Sequence, residues 1–302
     1  RQFIYPVRET TMKLITFTES SRTRIGLLQG EQIVDLSQAA PALPDDMLTL
    51  LEAGDTALQE AAKHVDAATH FAAVDVVIEA PMRRPPKILA IGLNYQAHAT
   101  ESNMDIPKYP VVFTKQATSA NGPYAPIHSP QETKMLDYEG ELGMVIGKRC
   151  RRVSKDDASK VIAGFCVLND VSVREWQFLS TPPQFTMGKS WDTHNPFGPA
   201  IVTADEVDPH HLMLRTFVNG ELRQETNTDD LIFNCYDIIE FLSTAFTLEP
   251  GDLIATGTPS GVGAAMQPQA TLQIGDTVKV EIEGLGFIEN EVIVEPDTAS
   301  IQ

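Results

Sequence analysis

The stretch from Asp137 to Asp170 limits the fold more than any other part of the chain. In Asp137-Tyr138-Glu139-Gly140-Glu141-Leu142-Gly143-Met144-Val145-Ile146, the residues Leu142, Met144 and Ile146 alternate with smaller or polar ones, the period-two pattern of a half-buried strand. A second apolar run, Val161-Ile162-Ala163-Gly164-Phe165-Cys166-Val167-Leu168, ends at Asn169-Asp170. A chain with these two segments builds a sheet. Strand geometry places Glu139 and Glu141 on one face, with Cα atoms about 6.5 to 7 Å apart. Carboxylates held that close repel unless one is protonated or a cation lies between them. A divalent metal is the economical cation, and Asp170 can supply a third carboxylate. No Cys or His stands beside the three, and an all-oxygen set favours Mg²⁺ or Mn²⁺ over zinc. Taken alone, the spacing also describes the solvated face of an edge strand, so the companions of the pair decide between the two.

The 302 residues carry a net charge of −18, which argues against nucleic acid or an anionic membrane as a partner. An anionic substrate would need a local cation, and a bound metal would provide it. Cys150, Cys166 and Cys235 are odd in number and lack C-x-x-C spacing, the usage of reduced thiols in a cytoplasmic protein. No apolar run reaches the length of a membrane span. Residues 1–11 lack the apolar core of a signal peptide. Met12-Lys13-Leu14 resembles a natural start, so residues 1–11 are expected to be an upstream extension or a remnant of expression.

Residues 12–81 read as a small α+β N-terminal domain of short strands followed by short helices, at Met47 to Leu51 and Leu58 to Val65. The Pro-rich joint Pro81-Met82-Arg83-Arg84-Pro85-Pro86 separates it from a large domain over 87–296. In that domain a helix after Asn94 would put His98 and Glu101 on one face. Such a pair is either a general base with its orienting carboxylate or a surface contact. Ser102 to Pro110 reads as a flap. Ser154 caps a short helix to Lys160, and Asp170 is itself a candidate cap for a helix from Val171 to Leu179 that carries Arg174 and Gln177. Lys189 sits among small and apolar residues; buried, it must face a carboxylate or a substrate, and exposed, it would lie over Trp191. Asn219-Gly220 marks a hairpin, Leu231 to Phe246 a helix, and the small-residue turn Thr256 to Gly263 a cradle of backbone donors.

Five segments in collinear order then carry a resemblance: Gly92-Leu93-Asn94-Tyr95 with His98 and Glu101; Asp137 to Leu142; Asn169-Asp170; Gly188-Lys189-Ser190; and Thr256 to Gly263. Together they resemble the fumarylacetoacetate hydrolase family over roughly residues 87 to 294, in its acylpyruvate hydrolase and oxaloacetate decarboxylase branch. The resemblance implies a mixed β-roll core with peripheral helices, a homodimer, and a Mg²⁺ or Mn²⁺ site at Glu139, Glu141 and Asp170. It implies a catalytic dyad of His98 and Glu101, a pocket lysine at Lys189, and substrate contacts from Arg174, Gln177 and Thr258. The extra acidic ligand of fumarylacetoacetase proper has no clear counterpart here.

The expected reaction is hydrolysis of a carbon–carbon bond in a 2,4-dioxo acid held by the metal. His98 takes a proton from water, and Lys189 stabilises the oxyanion. An oxaloacetate-type decarboxylase and an isomerase or hydratase of unsaturated 2-oxo dioates are the near alternatives. A binding module that keeps the fold without turnover is the alternative from another class.

Overall fold

The computed structural model of the protein describes residues 11–101 and 105–297, without the side chains of 98–100. Residues 1–10, where most of the expected extension falls, lie outside this range, as do 102–104 of the expected flap. Among the described residues twelve strands form one mixed sheet and five form a second. The helices are short and lie at the periphery, so the architecture is the α+β, sheet-dominated roll expected.

The strand Gly140–Ile146 lies inside the large sheet, antiparallel to Ile162–Asn169 on one side and to Leu253–Ala255 on the other. All seven of its residues are buried, which corrects the half-buried reading and removes the solvated-edge alternative. Its alternation reflects close packing on both faces: a Cβ on Gly143 would stand 2.7 Å from Cys166 Sγ. The pairing register then builds the site, because Gly140 sits opposite Asn169. Glu139 and Asp170 therefore leave the paired strands side by side, and the Asp170 N–H donates to the Glu139 carbonyl at 2.8 Å.

The segment before the Pro-rich joint extends the same sheet, with Lys13–Glu19 running antiparallel to Asn195–Thr203. Leu14, Leu27, Leu50 and Leu51 share one buried cluster with Ile88, Val145 and Leu253. The second sheet runs in the order Glu221–Asn227, Met213–Val218, Thr277–Ile282, Gly286–Val294, Ile127–Ser129. It packs on the first through Leu214, Val280 and Ile288 against Leu142, Met144 and Phe165. Its first hairpin turns at Asn219 and Gly220, whose φ values of 51° and 79° are those a tight two-residue turn requires.

Two expected helices are shorter than the sequence suggested. Cys235–Ala245 starts four residues late because Asn234 caps it, accepting from the Tyr236 and Asp237 N–H groups while the Asp237 side chain returns a bond to the Asn234 N–H. Ile232 and Phe233 are instead held by Asn94, through its carbonyl at 2.8 Å and its Oδ1 at 2.9 Å. The helix expected from Val171 to Leu179 is only Arg174–Gln177. Ser172-Val173 pairs with Leu136-Asp137 before it, so Asp170 is not a helix cap and its carboxylate is turned to the site. Replacing the Asn234 cap tests the first of these devices. Asn234→Ala should cost about 1 kcal/mol of unfolding free energy and Asn234→Ser much less, as read from urea denaturation; equal stability of the two variants would remove the capping account.

Candidate active site

Glu139, Glu141 and Asp170 each bring a carboxylate oxygen within 4.8 Å of the others, and all three residues are buried. The residue between the glutamates is glycine because the second sheet closes on it. A Cβ on Gly140 would lie 2.2 Å from Thr216 Oγ1 and 3.0 Å from Val280 Cγ1. Glu141 accepts the Gly257 N–H at 2.7 Å, and no Lys or Arg among the described residues pairs with it. Burial pushes its carboxyl well above the usual range; Asp170 and Glu139 add to the effect, and Lys189 with the Gly257 N–H opposes it only in part. A cation beside such a group favours its ionised form. Three converging carboxylates, one of them without a positive partner, fit a hard divalent ion such as Mg²⁺ or Mn²⁺.

Lys189 lies inside the cluster, as the buried alternative expected. Its Nζ is 2.8 Å from Asp170 Oδ2, from Glu139 Oε2 and from Ser172 Oγ. Burial opposes its charge, but Asp170 and Glu139 together outweigh that and hold its pKa above the ordinary lysine value. Arg174 donates from Nε to Asp137 Oδ2 at 2.9 Å and from Nη1 to Glu139 Oε1 at 2.7 Å and Gln177 Oε1 at 2.8 Å. The last bond fixes the Gln177 amide, leaving its nitrogen as the remaining donor. Asp137 also accepts the Gly263 and Ala264 N–H groups at 2.8 and 3.0 Å, which anchors the small-residue turn beside the triad.

The sequence reading missed Lys115. Its ammonium pairs with Asp170 Oδ1 and donates to the His194 carbonyl at 2.7 Å; burial draws its pKa down. Along Val111–Lys115 only Phe113 and Lys115 are buried. Carrying the strand's period of two from Phe113 to Lys115 would have found it. His194, directly behind Lys115, is buried too, with Nε2 2.8 Å from the His128 carbonyl. Burial pushes its pKa down to about 3, aided by Lys115 and opposed by the His128 carbonyl.

Above the triad opens a cavity of about 440 Å³ lined by Glu101, Glu139, Arg174, Gln177, Lys189 and Thr258, with Ile91, Leu93, Phe113, Phe185 and Val262 as its apolar wall. The sequence-selected residues are thus brought together, apart from His98, whose side chain lies outside the described residues although its backbone belongs to the helix Gln96–Glu101. Both Glu101 carboxylate oxygens accept the Gly261 N–H, at 3.0 and 3.1 Å. The Thr258 hydroxyl donates to the Gly140 carbonyl at 3.0 Å.

Residues 87–293 match the family described as fumarylacetoacetate (FAA) hydrolase C-terminal. The chain belongs to the fumarylacetoacetate hydrolase family. It is 42% identical over 289 residues to the Xenopus laevis protein named oxaloacetate tautomerase fahd2, mitochondrial, covering 94% of this chain and 91% of the relative. It is 41% identical over 266 residues to Homo sapiens oxaloacetate tautomerase FAHD2A, mitochondrial, covering 87% and 85%. Among solved structures, it is similar to fumarylacetoacetate hydrolase from Exiguobacterium antarcticum (35% identity, TM-score 0.83, 94% and 100% covered). It is also similar to maleylpyruvate hydrolase from Sphingobium sp. SYK-6 in complex with manganese (II) ion and pyruvate (30% identity, TM-score 0.79, 94% and 100% covered). The protein is therefore a fumarylacetoacetate hydrolase family enzyme whose buried acidic triad suits a divalent metal. The mitochondrial names of the curated relatives overturn the cytoplasmic placement expected from cysteine usage.

Two outcomes follow for this family member. Glu141→Gln should lower Mn²⁺ affinity at least about tenfold, since losing a ligand costs no less than losing its outer support; titration calorimetry measures it, and unchanged affinity would remove Glu141 from the ligand set. The His194 imidazole stays neutral in the folded chain down to about pH 3 but is protonated below about pH 6.5 once unfolded. Its contribution to stability is complete above pH 6.5 and falls by roughly 1.4 kcal/mol per unit as pH drops towards 3. Urea unfolding between pH 4 and 7 should be shallower in pH for His194→Gln than for the parent protein.

Proposed function

We propose that this enzyme interconverts the keto and enol forms of an oxaloacetate-type 2-oxo acid, with Mg²⁺ or Mn²⁺ held by Glu139, Glu141 and Asp170. The observation that carries the reading is the clustering of those three buried carboxylates, with Glu139 and the Lys189 ammonium that pairs with Glu139 and Asp170 lining one cavity. The tautomerase names of relatives above 40% identity support it. A bound divalent cation would supply positive charge that withdraws electrons from the substrate carbonyl and offsets the substrate's own charge.

The side chains divide the remaining work. Lys189 is assigned to stabilise the negative charge that grows on the substrate oxygen, in a buried setting where an ammonium is effective. The Gln177 amide nitrogen, fixed by Arg174, offers a donor to the substrate carboxylate. His98 is the group proposed to move the proton at C3, with Glu101 three residues further along the chain. Phe113, Phe185 and Val262 give the cavity an apolar side against which the substrate's carbon chain would lie.

Carbon–carbon hydrolysis of a 2,4-dioxo acid is the second reading. Its support is the solved maleylpyruvate hydrolase with manganese and pyruvate, together with a cavity roomier than a four-carbon acid needs. Ultraviolet absorbance of the enol distinguishes the two. With Mn²⁺ added, the enzyme should accelerate loss of enol-oxaloacetate, and Lys189→Ala should slow it at least about 100-fold. Rapid cleavage of acylpyruvates without any effect on oxaloacetate tautomers would put the second reading in place of the first.

A further inference from the structure

Gln224 reaches the site from the second sheet and is 1% exposed. It stands where the pairing of Glu221–Asn227 with Met213–Val218 slips, Thr216 facing Gln224 and Phe217 facing Leu222. Arg223 is thus the extra residue of a β-bulge, a device that re-aims neighbouring side chains. Gln224 Oε1 accepts the Gly140 N–H at 3.0 Å, while Nε2 donates to Thr258 Oγ1 at 2.9 Å and to the Pro259 carbonyl at 3.0 Å. The two bonds of fixed polarity, from the Gly140 N–H and to the Pro259 carbonyl, settle the amide's orientation, since an N–H can meet only its oxygen and a carbonyl only its nitrogen.

The consequences run in two branches. Gly140, the first residue of its strand, separates the candidate ligands Glu139 and Glu141, so holding its N–H holds the backbone between them. On the other branch, Thr258 Oγ1 receives the Gln224 N–H and gives its own proton to the Gly140 carbonyl at 3.0 Å. Its remaining lone pair is left for the cavity that Thr258 lines. We infer that Gln224 is a positioning residue that sets the backbone between the candidate metal ligands through Gly140 and, separately, the ligand-facing loop through Thr258. Only a neutral amide supplies the acceptor and both donors; an aliphatic side chain supplies neither, and a carboxylate keeps the acceptor while losing the amide donors.

The inference rests on the reading of this cavity as a metal-assisted 2-oxo acid site, and its test separates the two. Calorimetry would measure Mn²⁺ binding first and then oxalate binding at saturating Mn²⁺. Gln224→Met should weaken Mn²⁺ and oxalate binding each about tenfold, the usual effect of losing an outer-shell partner. Thr258→Val should weaken oxalate to a similar extent and leave Mn²⁺ within about threefold of the parent. Because Gln224 acts on oxalate through Thr258, the double variant should bind oxalate within about threefold of either single variant. If the oxalate losses multiply towards a hundredfold, or if Gln224→Met lowers the melting temperature while both affinities stay put, the inference fails. Should Gln224→Met not fold, Gln224→Glu takes its place: Mn²⁺ affinity is then expected within about threefold of the parent with oxalate weakened, and the reverse pattern overturns the assignment. A parent protein that binds Mn²⁺ but no oxalate would sink the reading of the cavity, while the Mn²⁺ arm would still judge Gln224.

Discussion

Everything in this structure answers to one electrostatic imbalance. Asp137, Glu139, Glu141 and Asp170 are buried in one place, and Lys115, Lys189 and Arg174 are buried among them. Among the described residues, three positive groups match three of the carboxylates, and Glu141 is left over with a backbone N–H for company. Buried ion pairs recover little of what they lose on leaving water, so this cluster does not hold the fold together. The fold holds the cluster, and the unmatched carboxylate is the feature that calls for a cation from outside.

The enforcing elements are the two central strands and the sheet stacked on them. Antiparallel register delivers Glu139 and Asp170 to the same end, and the second sheet fixes the intervening Gly140 by leaving no room for a side chain. The small-residue turn closes the opposite side, held by Asp137 and facing Glu101 through the Gly261 N–H. Backbone groups make most of these attachments, so the arrangement depends less on surrounding side-chain conformers than on strand pairing.

Much of this was legible in the sequence, and the reasons are physical. Glu139, Glu141 and Asp170 stand at the ends of long apolar runs, where strand periodicity and chain direction predict their faces. Lys189 betrayed itself by its apolar neighbours. Other features were hidden because their causes are non-local. The strand Gly140–Ile146 looked half-buried, since nothing local reveals that a second sheet covers its other face. Asp170 resembled a helix cap until the bridge between Ser172-Val173 and Leu136-Asp137 replaced the first turn of that helix. Asn94 took Ile232 and Phe233 out of the expected helix from 139 residues away in sequence. Lys115 was overlooked because its partners, Asp170 and the His194 carbonyl, are distant in sequence, and Gln224 because a bulge shifts parity without a mark in composition.

The origin of the cavity walls bears on how such a frame diversifies. The triad carboxylates lie on or directly beside the ends of paired strands, whereas Glu101, Gln177 and Phe185 belong to short helices inserted between strands. Connectors of that kind tolerate exchange without disturbing the pairing beneath them. One scaffold can therefore change its rim while the acidic floor is inherited intact, which accounts physically for relatives and structural neighbours bearing the names of a tautomerase, a hydrolase and an isomerase.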